Sequence, residues 1–346
     1  MERCLELAAN GLGKVSPNPL VGAVLVHDGR IIGEGYHRQY GQAHAEVNAI
    51  DDCKKNGLES LLPQSTLYVN LEPCNHYGKT PPCTDLILQN KIPEVVIGMK
   101  DPFSKVNGEG TERLRKACIQ VTENVMRQAC EELNRRFITF QTLKRPYLIL
   151  KYAQSRDGFI SPAHNEGKIH WISNNYSRML VHKWRAEEDA VLVGFNTVLK
   201  DNPLLTVRSW AGRNPVRIAI DYNLTLDKSS HLFNDEARTI LFNYLEDGVS
   251  GNLEYVKILP GESMPQQVCL ALFDRSIQSV MIEGGLRLMQ GFVNEELWDE
   301  ARIFTAPHNL VDGIPAPFVS GALVSKENIH DDELSILRNI SRKLPE

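Results

Sequence analysis

A chain of 346 residues is long enough, at about 150 residues per domain, for two separate cores. Its 42% apolar and 23% charged residues are ordinary globular values, so each half can bury a core, and the net charge of −5 argues against nucleic acid as the main partner, because such binders carry a basic face. Met1–Asn10 (MERCLELAAN) does not run from a charged start into an apolar stretch and a cleavage site, and no segment is apolar enough to cross a bilayer. The expectation is a cytoplasmic enzyme with no membrane partner. Its seven Cys stay reduced, so clustered Cys point to metal or catalysis rather than disulfides.

Leu20–Val26 (LVGAVLV) is apolar and β-branched, His27–Arg30 (HDGR) is a turn, and Ile31–Gly33 resumes as a strand; together they predict a hairpin. Ala43–Ile50 has helical character and Ser65–Leu71 (STLYVNL) that of a strand. Pro81 and Pro82 pre-set a first turn and open a helix through Thr84–Gln89. Glu94–Gly98 is a short strand, Thr111–Ala117 a polar helix and Asn124–Phe140 a longer amphipathic helix. This alternation predicts a three-layer α/β domain over residues 1–142, with Thr142–Pro146 (TLKRP) as the joint. A second α/β pattern spans residues 147–346. Its strands are Tyr147–Tyr152, Ala190–Val193, Val216–Ile220, Thr239–Phe242 and Ser279–Ile282, with a helix over Tyr176–Trp184. Asn328–Glu346 carry little signal.

His44-Ala45-Glu46 begins a helix, Pro73-Cys74 follows a strand, and Cys83 stands at the start of the next helix. One imidazole and two thiolates give Zn²⁺ three protein ligands and leave a fourth position for water, whose pKa the ion brings towards neutrality. Glu46, two residues from His44, can take the proton of that water and deliver it to a departing amine. A purely structural site usually recruits four protein ligands; the fourth would have to be His76, and Glu46 would have no task. Asn18 has a donor and an acceptor for a base edge, and His37 could act likewise. His76 and Lys79, on the loop between the two Cys, could hold the polar head and phosphate of a small nucleotide-like substrate. Cys4, Cys53, Cys118, Cys130 and Cys269 lack metal-type spacing and read as ordinary reduced Cys.

The H-A-E…P-C…C arrangement resembles the zinc nucleobase deaminases, although their second spacing is shorter. The long form P-C-N-H-Y-G-K-T-P-P-C over residues 73–83 is similar to the deaminase half of the bifunctional riboflavin-biosynthesis deaminase–reductases. So are Ser16-Pro17-Asn18-Pro19-Leu20-Val21-Gly22 and Gly35-Tyr36-His37. The resemblance implies a cytidine-deaminase-like αβα fold with one zinc ion. It also implies a pyrimidine ribotide pocket lined by Asn18, His37, His76 and Lys79, with Asn107 as a further contact after the Asp101-Pro102 step.

The second half continues the resemblance. Lys151-Tyr152-Ala153-Gln154-Ser155-Arg156-Asp157-Gly158 matches the opening of that family's reductase domain, which has a dihydrofolate-reductase-like fold. Trp171-Ile172-Ser173, Trp184-Arg185-Ala186, the run Val193–Leu199, the run Asp201–Arg208 and Ile282-Glu283-Gly284-Gly285 follow in order. Paired Gly between a strand and a helix lets backbone N–H groups approach a phosphate. The resemblance implies NADPH there, on Gly284, Gly285, Leu286 and Arg287, with Ala153, Trp171, Thr197 and Asp201 as nearby contacts. Arg185 and Arg208 are permanently charged forks suited to a substrate phosphate, and Lys151 and Glu283 could grip or orient the ribose; Leu205 completes the implied substrate set. Departures from the family are the long stretch Ser161–Ile169, with Ile169 where a polar residue is common, and His308 in place of a frequent Lys.

The expected protein is a bifunctional enzyme of riboflavin biosynthesis. The first domain would deaminate a diaminopyrimidinone ribosylamino phosphate, and the second would reduce its ribosyl group with NADPH. A homo-oligomer, dimer or tetramer, goes with this reading. The rivals are a monofunctional deaminase with a non-catalytic second domain and a nucleic-acid-editing deaminase.

Overall fold

The computed structural model describes residues 1–75, 81–103, 108–163 and 170–341. Its contacts divide the chain into two compact units, Met1–Lys144 and Arg145–Glu346.

In chain order the first unit contains α1 (Glu2–Ala9), β1 (Gly22–His27), β2 (Arg30–Tyr36), α2 (Ala45–Lys55), β3 (Thr66–Leu71), α3 (Cys83–Gln89), β4 (Glu94–Met99), α4 (Glu109–Lys116), β5 (Gln120–Thr122), α5 (Arg127–Leu133) and α6 (Arg135–Leu143). The sheet order is β2-β1-β3-β4-β5. The expected hairpin is the antiparallel β1–β2 pair, while β3, β4 and β5 run parallel. Alternation along β1 sends Ala23 and Leu25 to one face and Val24 to the other. The first face packs on Ala49, Ile50 and Cys53 of α2, Ile87 of α3 and Leu114 of α4; the second packs on Cys4 and Leu7 of α1. Two helical layers therefore enclose the sheet, as expected of a cytidine-deaminase-like domain. Gly35 permits the close contact of α2 with β2, because a Cβ there would lie 2.6 Å from the Ala49 nitrogen.

The helix expected over Asn124–Phe140 is two helices, broken at Asn134. Asn134 is buried, and its side chain accepts from the Leu20 N–H at 2.8 Å and donates to the Leu20 carbonyl at 3.0 Å. Asn70, also buried, accepts from the Gly22 N–H at 2.7 Å and donates to the same Leu20 carbonyl at 2.9 Å. Two buried amides thus satisfy the backbone of the segment that follows Asn18. Asn70→Ala leaves the Gly22 N–H without this acceptor and is expected to cost about 2 kcal/mol of first-unit stability. The first unit of Asn70→Ala should then unfold at a lower urea concentration than that of the parent, read by circular dichroism.

The second unit contains β6 (Tyr147–Gln154), β7 (Phe159–Pro162), α7 (Asn175–Glu187), β8 (Ala190–Gly194), α8 (Phe195–Asp201), β9 (Val216–Ile220), β10 (Thr239–Asn243), β11 (Gly248–Ser250), β12 (Leu253–Lys257), α9 (Met264–Asp274), β13 (Ser279–Ile282), α10 (Leu286–Asn294), β14 (Glu300–Thr305), β15 (Gly313–Pro315), β16 (Ala322–Ile329) and β17 (Asp332–Arg338). Its ten-stranded sheet has the order β11-β12-β10-β9-β8-β13-β6-β14-β17-β16, parallel from β12 to β14 and antiparallel at both ends. Leu148 and Leu150 of β6 pack with α9 and α10, and Tyr147 and Ile149 pack with α7 and α8. This is the dihydrofolate-reductase-like architecture. The residues from 328 onward, which carried little sequence signal, supply the end of β16 and all of β17, which pairs with β14 over Glu300–Thr305.

Candidate active sites

His44 caps α2 with extended backbone (φ −71°, ψ 167°), which places it just before the helix and Glu46 in the first turn. Cys83 is the first residue of α3, and its N–H, one of the four donors that a helix start leaves unpaired, points at Cys74 Sγ at 3.3 Å. His44 Nδ1 lies 3.3 Å from Cys83 Sγ and 3.6 Å from Cys74 Sγ. The three ligand atoms all fall within 4.8 Å of one another, the one such group among the described residues. One imidazole nitrogen and two sulfurs converging in this way fit a zinc ion. A hydrogen bond from the Cys83 thiol holds the Cys74 thiol down at about 4. Burial pushes the Glu46 carboxyl up, and the Cys74 charge adds to this. Glu46 is 3% exposed, so its carboxyl works out of bulk water.

His37 is buried, with Nδ1 3.0 Å from the Ala43 carbonyl and Nε2 3.0 Å from Asn18 Nδ2. The carbonyl can only accept, so Nδ1 carries the proton and Nε2 accepts from the Asn18 amide. Both ring nitrogens of His37 are engaged, whereas the Asn18 carbonyl oxygen is not used in this pair. His37, expected in the substrate pocket, thus stands against the Asn18 amide. Burial lowers the His37 pKa, in keeping with a neutral ring. His76, Lys79 and Asn107 lie outside the described residues, as does Ile169. Asn75, next to Cys74, accepts with its side-chain amide oxygen from Arg113 at 2.8 Å and from the Thr84 hydroxyl at 3.2 Å.

In the second unit the candidates gather at the carboxyl ends of the parallel strands β13, β8 and β6. Gly284 and Gly285 have φ of 114° and 84°, a region that side chains avoid, and they lead into α10. A Cβ on Gly284 would meet Thr197 Oγ1 at 3.3 Å, so Thr197 of α8 does share this cradle. Backbone donors at the start of a nine-residue helix, with no side chain in the way, fit a dinucleotide phosphate. Leu286 and Arg287 form the first turn of α10, and Asp201 ends α8. Ala153 lies near the end of β6. Trp171 is 58% exposed, with the Arg178 guanidinium 4.4 Å from its ring centre.

Lys151, Arg185 and Glu283 converge. Arg185 Nε and Nη2 donate to the two Glu283 oxygens at 2.7 and 3.0 Å, and Lys151 Nζ stands 3.6 Å from Glu283 Oε2. Burial alone would raise the Glu283 carboxyl, but Arg185 and Lys151 outweigh it and hold it at about 2. Arg185 Nη1 donates further to the Thr206 carbonyl at 3.3 Å. Arg185 thus donates to Glu283 and Thr206 within the protein, whereas the other expected phosphate fork, Arg208, is exposed. Leu205, an expected substrate contact, has a 2% exposed side chain in the core with Val198 and Leu226. Its left-handed backbone (φ 56°) turns the chain there.

Comparison with known proteins agrees on both halves. Residues 1–99 match the cytidine and deoxycytidylate deaminase zinc-binding region, and residues 146–328 match the RibD C-terminal domain. The chain is 39% identical over 320 residues to the riboflavin biosynthesis protein RibD of Aquifex aeolicus (strain VF5), covering 91% of this chain and 88% of that one. It is 39% identical over 332 residues to RibD of Bacillus amyloliquefaciens, covering 93% and 87%. The crystal structure of a diaminohydroxyphosphoribosylaminopyrimidine deaminase/5-amino-6-(5-phosphoribosylamino)uracil reductase from Thermotoga maritima superposes with a TM-score of 0.89 at 39% identity, over 98% of this chain and 97% of that one. The order of motifs, the two folds and these full-length likenesses agree: this chain belongs to the RibD family of bifunctional riboflavin-biosynthesis deaminase–reductases.

Proposed function

We propose that this chain deaminates 2,5-diamino-6-ribosylamino-4(3H)-pyrimidinone 5′-phosphate in its first unit and reduces the ribosyl side chain of the product to ribityl, with NADPH, in its second. The observation that carries the deaminase reading is the convergence of His44, Cys74 and Cys83 with buried Glu46 two residues from the histidine. These three side chains would hold zinc, which when bound supplies the Lewis acidity that makes water a nucleophile near neutral pH. Glu46 takes a proton from the attacking water and passes it to the exocyclic amine nitrogen as that group leaves. Asn18, steadied by His37, presents its amide oxygen to the pyrimidine edge. His76, Lys79 and Asn107 are assigned to the ribotide and its phosphate from the family motif.

For the reductase half, Gly284, Gly285, Leu286 and Arg287 would hold the cofactor phosphates, with Thr197, Asp201, Ala153 and Trp171 around them. NADPH supplies the reducing equivalent. Lys151 and Glu283 orient the ribosyl group, Arg208 takes the substrate phosphate, Leu205 belongs to the same substrate set by the family motif, and Arg185 fixes Glu283. The substrate is a small phosphorylated molecule. Among the described residues no helix is long and apolar enough to cross a membrane. We assign the enzyme to the cytoplasm, as a homo-oligomer. The exposed edge strand β16, with Leu323 58% and Val324 55% accessible, supports an assembly of copies.

Metal removal separates the two activities. A zinc chelator is expected to abolish ammonia release while NADPH oxidation on supplied 5-amino-6-(5-phosphoribosylamino)uracil continues, and added zinc should restore deamination. Loss of both activities, or of neither, contradicts the assignment of zinc to the first unit.

A further inference from the structure

Helix α7 carries a buried histidine that the assignments above leave without a task. His182 lies one turn before Arg185, so both project from the same side of the helix. It is 9% exposed, and its Nδ1 stands 3.3 Å from the backbone nitrogen of Arg208. That N–H can only donate, so Nδ1 accepts and carries no proton. The neighbouring residue Thr206 ties the same loop twice more: its carbonyl accepts from Arg185 Nη1, and its hydroxyl accepts from Arg208 Nη1, both at 3.3 Å. His182, Arg185 and Thr206 thus form a frame around the main chain from which the exposed Arg208 guanidinium extends.

We propose that His182 is a positioning residue of the reductase site, whose imidazole fixes the backbone of Arg208 and so aims that guanidinium at the substrate phosphate. This rests on the reading of Arg208 as the phosphate ligand. A group in this place must accept a hydrogen bond without adding a third positive charge beside two guanidiniums. The imidazole meets both demands: burial first, then Arg185 and Arg208, hold its pKa down at about 4, against the opposing pull of Glu283. A lysine would repel both arginines, and an aliphatic residue would leave the Arg208 N–H without its acceptor. Asparagine, with its amide oxygen at the place of Nδ1, should serve.

The test compares His182→Leu, His182→Asn and Arg208→Ala in the full-length protein. Substrates are 5-amino-6-(5-phosphoribosylamino)uracil and its dephosphorylated nucleoside, with NADPH oxidation as readout and kcat together with thermal unfolding of the same preparations as the folding control. His182→Leu is expected to raise KM for the phosphorylated substrate about tenfold, leaving kcat within about twofold and the nucleoside KM unchanged. His182→Asn should stay close to the parent. An unchanged KM in His182→Leu, with a raised KM in Arg208→Ala, overturns the proposal alone. So does an equal rise for the nucleoside, or His182→Asn as impaired as His182→Leu. An unchanged KM in Arg208→Ala overturns the phosphate reading and the proposal with it.

Discussion

Glu46→Gln is expected to lower deamination by about a thousandfold while zinc content and reduction of supplied intermediate stay at parental levels. The two side chains have the same shape, so the packing around this 3% exposed position is kept. His44, Cys74 and Cys83 remain in place to bind the metal. What is lost is the group that accepts a proton from water and returns it to the leaving nitrogen. Ammonia release, metal analysis and NADPH oxidation on the same preparation check the three parts. Near-parental deamination by a zinc-loaded Glu46→Gln protein would remove Glu46 from the chemistry.

The second large effect concerns Glu283. The Arg185 and Lys151 side chains are only 12% and 16% exposed, and Glu283, 8% exposed, is the carboxylate that both of them face. Glu283→Ala leaves two buried cations unpaired and is expected to cost the second unit about 3–5 kcal/mol along with reductase activity. Thermal unfolding of the variant and its NADPH oxidation check this. The pH dependence follows from the same cluster. Glu283 titrates at about 2 in the folded chain against an ordinary 4.5. A depressed carboxyl contributes stability that is fully present above about pH 4.5 and is lost as the pH falls towards 2. Glu283→Gln should flatten the stability profile over that window, and a profile parallel to the parent's would show that the cluster is not the source.

The parts legible in the sequence are those whose signal is local. The β1–β2 hairpin was readable because its turn and β-branched runs lie within a few residues. The metal group was readable because helix and strand ends bring His44, Cys74 and Cys83 to one place from a short, recognisable spacing. What stayed hidden depends on distant partners. Asn134 breaks an otherwise continuous amphipathic stretch because its amide serves Leu20, 114 residues away. Strand β16 is almost wholly exposed, so no buried face imposes an alternation on it. The pairing of His37 with Asn18, the enclosure of Leu205 and the capture of Arg185 by Glu283 are tertiary facts of the same kind. His182 had a weak signal, a histidine three residues before Arg185 on one helical face, but its meaning depends on where the chain brings Arg208.

The central claim is that one chain performs a hydrolytic deamination and a reduction in turn, and the most direct test follows both products from one substrate. Purified zinc-loaded protein is mixed with the diaminopyrimidinone ribosylamino phosphate and NADPH, and ammonia and NADPH absorbance are recorded together. The account predicts ammonia first, then loss of NADPH in equal amount. Ammonia with no consumption of NADPH, or NADPH oxidised while no ammonia forms, would contradict it.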